Sequence, residues 1–222
     1  MSILTVDNVS YTYKSKYQTV EAVSNVSCAF ESGKVYAIIG HSGSGKSTLL
    51  SLLAGLDLPT KGEIFIEGKP LSQLNRDKYR KEFASVVYQS FNLFPLLTAI
   101  ENVSFPMELG GMSTKNAREK AKELILSVGL SERIYSQLPQ MMSGGEQQRV
   151  AVARALAAGG KVLLADEPTG NLDSANGEII VELLEELAHN RGYAVIIITH
   201  DMGVADRADI VYTMKDGKLT LD

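Results

Sequence analysis

The residues between Gly40 and Thr48 are of the types that bind phosphate. The stretch Gly-His-Ser-Gly-Ser-Gly-Lys-Ser-Thr fits the pattern G-x-x-x-x-G-K-[ST], in which glycines let successive backbone N–H groups turn toward one anion. Lys46 supplies a positive charge for the β- and γ-phosphates, and Ser47 supplies a hydroxyl for Mg²⁺. The pattern predicts a nucleoside triphosphate site built from Ser42, Gly43, Ser44, Gly45, Lys46, Ser47 and Thr48.

The flanks of this loop are the elements that such a site needs. An apolar run over residues 34–39 predicts a buried strand before the loop, and residues 48–54 predict a helix after it, with Gly55 as its stop. A helix that begins at the loop adds its positive N-terminal end to the phosphate site. The context therefore supports a phosphate-binding loop over a simple turn.

Further polar residues stand where predicted strands end. Gln89, Asp166–Glu167 and His200 each follow an apolar run of strand length, and ligands of open α/β sheets collect at the C-terminal ends of strands. We expect Asp166 to hold Mg²⁺, directly or through water, and Glu167 to polarise the water that attacks the γ-phosphate. Gln89 could bond that water or Mg²⁺, and His200 could donate to γ-phosphate oxygens.

A second glycine-rich helix start lies at Ser143-Gly144-Gly145-Glu146. Serine followed three residues later by glutamate is a capping-box pattern, which predicts a helix from here to about Ala158. The N-terminus of such a helix is also a second site that an anion can occupy.

The elements around these motifs predict an α/β fold. Strands and helices alternate over residues 34–56 and 161–200, which predicts a parallel sheet with right-handed crossovers. We expect three units: an antiparallel β subdomain (about 1–33 and 62–70), a P-loop NTPase core (about 34–61, 71–89 and 160–222), and an inserted α-helical subdomain (about 90–159). Helical patterns cover 71–83, 113–128 and 174–190, a hairpin is expected over 209–221, and residues 90–112 are interpreted as loop-rich.

Composition limits the class of protein. The 222 residues, 45% hydrophobic and 22% charged, suit one globular core, and a net charge of −4 argues against a nucleic-acid partner. The single cysteine, Cys28, suits a reducing compartment. The first residues show no basic segment followed by an apolar core, so we expect no secretory signal, and the apolar runs are far shorter than the ~20 residues of a membrane helix.

Taken in order and spacing, these motifs resemble those of the ABC transporter ATPases over the whole chain. The resemblance rests on the phosphate loop, Gln89, the Ser-Gly-Gly-x-x-x-Arg signature at 143–149, Asp166-Glu167, Asn171-Leu172-Asp173 and His200. It implies ATP and Mg²⁺ as cofactors, with Glu167 as the catalytic base and His200 as a switch histidine. Tyr13 resembles the aromatic that stacks on adenine, with Tyr11 as a close alternative.

The resemblance also implies partners. Two ATPase domains, here expected as a homodimer, would pack head to tail, so that Ser143 and Gly145 of one reach the γ-phosphate held by the other. Asp173 would lie in the loop that crosses their interface. The pair would act on an integral membrane permease, with room for a periplasmic or extracytoplasmic adaptor, and we expect the chain to be cytoplasmic and peripheral on the inner face of the cell membrane.

The finer resemblance is to ATPases of macrolide-exporter, lipoprotein-release, bacitracin-efflux and cell-division type, carried by residues 89–103 and 166–173. It favours an exporter over an amino-acid importer, and a cell-division-type ATPase stays open as an alternative. A DNA-maintenance ATPase is disfavoured because the chain has neither the length for inserted coiled coils nor the cysteines of zinc modules. A non-catalytic nucleotide switch is disfavoured by the presence of Glu167 and His200.

Overall fold

Two β-sheets organise the chain in the computed structural model, which describes residues 2–221. The strands are β1 (Ser2–Lys14), β2 (Thr19–Glu31), β3 (Lys34–Ile39), β4 (Lys61–Ile66), β5 (Lys69–Pro70), β6 (Ala84–Tyr88), β7 (Val162–Asp166), β8 (Ala194–Ile198), β9 (Ile210–Lys215) and β10 (Lys218–Leu221). An antiparallel sheet has the order β2-β1-β4-β5, and a six-stranded sheet has the order β10-β9-β3-β8-β7-β6. The predicted α/β fold, with an antiparallel β unit beside a largely parallel sheet, is confirmed.

The helices connect and cover these sheets. They are α1 (Lys46–Leu53), α2 (Arg76–Glu82), α3 (Ala99–Leu109), α4 (Thr114–Ser127), α5 (Gly144–Ala157), α6 (Ser174–His189) and α7 (Met202–Ala205). Short 3₁₀ turns occupy Leu71–Gln73, Glu132–Ile134 and Pro139–Met141. Helix α4 is capped by Ser113, and α5 by Ser143 with Glu146 completing the predicted capping box.

Both faces of the six-stranded sheet are buried. Along β7, Leu163 and Ala165 pack with α3, α4, α5 and α6, whereas Val162 and Leu164 pack with α1 and the antiparallel sheet. Strands buried on both faces are expected to be continuously apolar, which β8 is throughout and β7 is up to Ala165. Strands β3, β6, β7 and β8 run parallel, so the residues that follow them meet at one edge of the sheet.

The prediction that residues 90–112 are loop-rich is wrong for its second half. Helix α3 runs through Pro106, with Thr98 and Glu101 forming a capping box at its start. Val103 and Met107 are buried in the core, and this burial outweighs the hydrogen bond that the proline cannot make. The predicted helix over 71–83 is also too long, because a 3₁₀ turn precedes α2.

Other expectations hold. The C-terminal hairpin of β9 and β10 turns at Asp216 and Gly217, both at positive φ, and β9 also extends the parallel sheet beside β3. Within residues 2–221, no helix combines the length and apolar character needed to cross a membrane.

Candidate active site

A cleft of about 690 Å³ lies at the edge where the parallel strands end. It is lined by Ala22, Gly40, His41, Ser42, Gly43, Gly45, Lys46, Ser47, Thr48, Gln89, Asp166, Glu167, Ile198 and His200. The structure thus brings together the predicted phosphate loop and all four polar residues predicted at strand ends. Ala22 and Ile198 were not predicted here.

The phosphate loop is fixed by its glycines. Gly45, at φ +108, immediately precedes α1, and a side chain there would collide with the carbonyl oxygen of Ala22 on β2. A side chain at Gly40, at φ +154, would collide with the carbonyl oxygen of Met214 on β9. The loop is therefore held between strands of both sheets, and only glycine fits at these two positions.

Three features of this loop fit a triphosphate. Lys46 Nζ donates to the carbonyl oxygens of Gly40 (2.6 Å) and His41 (3.0 Å), which holds an ammonium in the cleft. Ser44 Oγ is buried and has no hydrogen-bond partner within residues 2–221, although a buried hydroxyl ordinarily has one. The start of α1 has neither a side-chain cap nor an acidic residue among the described residues, so its N–H groups can donate hydrogen bonds to a bound anion.

Asp166 and Glu167 place two carboxylates opposite the loop. Burial and the neighbouring charge of Glu167 raise the pKa of Asp166, and the Lys46 ammonium opposes this rise. Glu167 has φ +49, and its N–H donates to the carbonyl of Ile198 at 2.9 Å. Its Oε2 lies 2.6 Å from Nδ1 of His200. A divalent cation would relieve the repulsion between the two acids, so the donor set of Ser47, Gln89 and Asp166 fits Mg²⁺.

Gln89 is held by the loop that follows β7. Asn171 Nδ2 donates to the Gln89 carbonyl at 3.0 Å, and Gln89 Nε2 donates to Asn171 Oδ1 at 3.4 Å. A side chain at Gly170 would come within 2.6 Å of Gln89 Nε2. Asn171 is therefore a positioning residue for Gln89, a role that the motif Asn171-Leu172-Asp173 alone does not reveal.

Tyr13 lies at the rim of this region. Its hydroxyl is 3.3 Å from Thr48 Oγ1, and its half-exposed ring meets Tyr11 edge to face, with 4.9 Å between ring centroids. Tyr11 packs against the core instead. The ring that could stack on a nucleobase is therefore that of Tyr13.

Ser143, Gly145 and Asp173 do not line the cleft but form a second cluster. Ser143 Oγ and N both donate to Glu146 Oε2, at 3.0 and 2.9 Å, and Glu146 is also paired with Arg133. Asp173 caps α6 by accepting from Asn176 N at 2.9 Å and Asn176 Nδ2 at 2.8 Å.

Gly145 completes this second cluster, because a side chain there would collide with Asn176. One chain therefore presents two separate groups of predicted site residues, the cleft and this cluster.

Comparison with known proteins gives a consistent result. The family described as ABC transporter matches residues 23–170. The chain is 42% identical to an uncharacterized ABC transporter ATP-binding protein, MJ0796 of Methanocaldococcus jannaschii, over 98% of this chain and 95% of that protein. It is 40% identical to the macrolide export ATP-binding/permease protein MacB 2 of Yersinia pestis over 99% of this chain, which is 33% of that relative.

A solved structure is similar over nearly the whole fold. It is the dimeric post-hydrolysis state of the ATP-binding cassette MJ0796 bound to ADP and Pi, with a TM-score of 0.90, 40% identity, and coverage of 99% of this chain and 97% of that chain.

Proposed function

Because this chain belongs to the ABC transporter family as an ATP-binding, ATP-hydrolysing cassette, we propose that it drives a separate membrane permease that exports its cargo. The observation that carries the proposal is the cleft of about 690 Å³, which is lined by Lys46, Asp166, Glu167 and His200 together. The export direction is supported by the likeness to a macrolide export protein. The place of action is the cytoplasmic face of the membrane, and a periplasmic or extracytoplasmic adaptor on the opposite side would complete the transporter.

The residues of the cleft have distinct tasks in hydrolysis. Lys46 exchanges its bonds to the Gly40 and His41 carbonyls for bonds to phosphate oxygens. The other loop residues that bind the phosphates are Ser42, Gly43, Ser44, Gly45 and Thr48. Glu167 accepts a proton from the attacking water, and His200 orients the carboxylate through its 2.6 Å contact. Ser47, Gln89 and Asp166 would hold Mg²⁺, which would offset the charge of the phosphate oxygens. The ring of Tyr13 stacks on the adenine.

A head-to-tail homodimer would complete the site. Ser143 and Gly145 lie at the N-terminus of α5, outside the cleft of their own chain, where Ser143 would exchange its bonds to Glu146 for bonds to a phosphate. A second copy could bring it to the γ-phosphate, with Asp173 at the interface between the copies. The dimeric state of the MJ0796 cassette supports this arrangement.

An apolar groove is proposed as the permease contact. It has a volume of about 390 Å³ and is lined in part by Leu56, Phe94, Phe105 and Arg154. Phe94, which lines the groove, is 43% exposed, and Leu96, two residues further along the chain and outside the groove, is 86% exposed; exposed apolar patches commonly mark partner sites. Tyr88 and Asn92, which lie on either side of Gln89 in the sequence, both line the groove, so a permease segment seated there would lie close to Gln89.

The test is co-purification followed by an ATPase assay. The tagged chain is cross-linked in its own cells and purified from detergent-solubilised membranes, and hydrolysis of MgATP by the complex is measured. We expect a protein with several membrane-spanning helices to co-purify and the complex to hydrolyse ATP. Recovery of soluble proteins only, or an inactive complex, would contradict the proposal.

A further inference from the structure

Arg154 of α5 is a partly buried arginine that has no task in the cleft. Its Nη1 donates to the carbonyl oxygen of Asn92 at 2.7 Å, and its Nη2 donates to that of Phe91 at 3.2 Å. The guanidinium carbon lies 5.6 Å from the centre of the Phe94 ring. No carboxylate within residues 2–221 forms an ion pair with it, and burial lowers the pKa of Arg154. Burying a cation is unfavourable, so the contacts that it makes need an explanation.

The segment that Arg154 contacts has a strained backbone. Phe91 and Asn92 are consecutive non-glycine residues at φ +61 and +49, in the left-handed region that residues with a side chain disfavour. Arg154 binds the carbonyl of each of them. Beyond them, Asn102 of α3 is fully buried and accepts from Phe94 N at 2.8 Å. The segment therefore keeps its path through bonds within the turn, such as that from Ser90 Oγ to Asn92 Oδ1 at 3.0 Å, together with contacts to α3 and α5.

This strained path begins at Gln89. The Phe91 N–H donates to the carbonyl of Tyr88 at 3.2 Å, so the turn encloses Gln89 directly. On its other side Gln89 is held by Asn171, which belongs to the loop after β7. Gln89 is thus bonded to Asn171 of the loop after β7 on one side. On the other side, the turn that follows Gln89 is bonded to Arg154 of α5.

We propose that Arg154 is a positioning residue that ties Gln89 to helix α5, so that the place of Gln89 in the cleft follows the position of this helix. The tie depends on the planar guanidinium, which reaches two carbonyls and stacks on a ring at the same time. Ser143 caps the N-terminus of α5 and Arg154 lies near its C-terminus. The same helix therefore connects the second cluster with the turn that encloses Gln89. The inference rests on the proposed function only in taking Gln89 as a residue of ATP turnover.

The first experiment uses Arg154→Lys, which keeps the positive charge but loses the planar guanidinium whose two Nη atoms donate to separate carbonyls. In the nucleotide-free chain we expect backbone amides of residues 88–95 to exchange hydrogen about tenfold faster, because the turn loses its support. We expect kcat for ATP to fall about tenfold with KM within about twofold, since Gln89 and not the phosphate loop is displaced. The matched control is Arg118→Lys, which alters an exposed pair with Glu101 and should change neither quantity.

A double-mutant cycle separates positioning from general structure. If Arg154 acts through Gln89, adding Arg154→Lys to Gln89→Ala should lower kcat no further. An equal fall in both backgrounds would overturn the proposal, and so would unchanged exchange and kcat in the single variant. Either result would leave hydrolysis by the wild-type chain intact, whereas failure of the proposed function would appear as a wild type without hydrolysis.

A second variant covers the case in which Arg154→Lys does not fold. Phe94→Leu removes the ring beneath the guanidinium and keeps an apolar side chain at a half-exposed position. We expect faster exchange over residues 88–95 and a smaller fall in kcat, about two- to threefold, again absent in the Gln89→Ala background. Wild-type behaviour of this variant in both measurements would overturn the proposal.

Discussion

The imidazole of His200 and the carboxylate of Glu167 are in direct contact, with 2.6 Å between Nδ1 and Oε2. The His200 side chain is 71% exposed, whereas that of Glu167 is 20% exposed. The imidazole therefore shields one carboxylate oxygen from solvent and fixes its orientation without burying the pair. This places an oriented acceptor for a proton at the edge of the phosphate cleft.

We expect Glu167→Gln to abolish hydrolysis and preserve ATP binding. The amide keeps the size of the side chain but cannot accept the proton, so kcat should fall by about 10²–10⁴-fold. ATP should then accumulate on a dimer, which light scattering after gel filtration would detect. Glu182→Gln, at an exposed position of α6, is the control, and near-normal turnover in Glu167→Gln would disprove the assignment.

Lys46→Ala should weaken MgATP binding by roughly 10- to 100-fold, the effect of losing charge-assisted bonds worth about 1.5–3 kcal/mol. The variant also removes the hydrogen bonds by which Lys46 holds the carbonyl groups of Gly40 and His41 in the loop. Titration with a fluorescent ATP analogue measures the affinity. Lys81→Ala, on the exposed side of α2, should bind normally, and equal affinities for both variants would mean that the phosphates bind elsewhere.

Activity should depend on protein concentration, because Ser143 would act across an interface between two copies. Lys46→Ala and Ser143→Arg are each expected to be inactive alone, and their mixture should regain part of the wild-type rate through one intact composite site. The ATPase rate of the mixture is measured against total protein concentration. Linking the two variants in one chain tests whether a single intact site suffices, and no recovery in the linked form would argue against a shared site.

Phe94→Asp or Leu96→Asp should leave the subunit folded and able to bind ATP but prevent co-purification with its permease. Both side chains are exposed, so a carboxylate there disturbs a docked partner more than the core. Leu126→Asp is the control, since Leu126 is 48% exposed on α4. If both variants lose their fold, these side chains serve the core, and if complex formation is unaltered, the permease binds at another surface.

The stability of the chain should depend on pH through Asp209. Partial burial would raise the pKa of its carboxyl, but hydrogen bonds from Val35 N (2.7 Å) and His189 Nε2 (3.0 Å) hold the pKa below its usual value. A depressed pKa stabilises the fold above the unfolded value, and this gain is lost as pH falls through the folded pKa.

Asp209→Asn should therefore lower the free energy of unfolding by about 1 kcal/mol at neutral pH, a small value because the pair is partly exposed. The difference from wild type should shrink below about pH 4. Urea unfolding at several pH values measures it, and a difference that does not vary with pH would exclude this role.

Local sequence was sufficient where local chemistry determines structure. The phosphate loop and the Ser143–Glu146 capping box were predicted because their glycines and caps act within a few residues. Helix α3 was missed because Pro95 and Pro106 indicated loop, although Thr98 and Glu101 carried a readable cap. Its formation depends on burial of Val103 in a core built from distant elements.

Relations between distant elements could not be predicted. Alternation in β1 does not distinguish Tyr11 from Tyr13, and only the packing of β1 against α1 places Tyr13 beside Thr48. The contact of Gly145 with Asn176 requires α5 and α6 to pack against each other. The same holds for Arg154, whose partners lie more than 60 residues earlier in the chain.

The close approach of Gly40 to Met214 and of Gly45 to Ala22 has a thermodynamic consequence. The loop touches β9 of one sheet and β2 of the other, so a nucleotide that holds the loop in this shape opposes separation of the two sheets. Part of the free energy of nucleotide binding then appears as resistance of the antiparallel sheet to detachment. We therefore expect melting of β1 and β2 to be coupled to release of nucleotide.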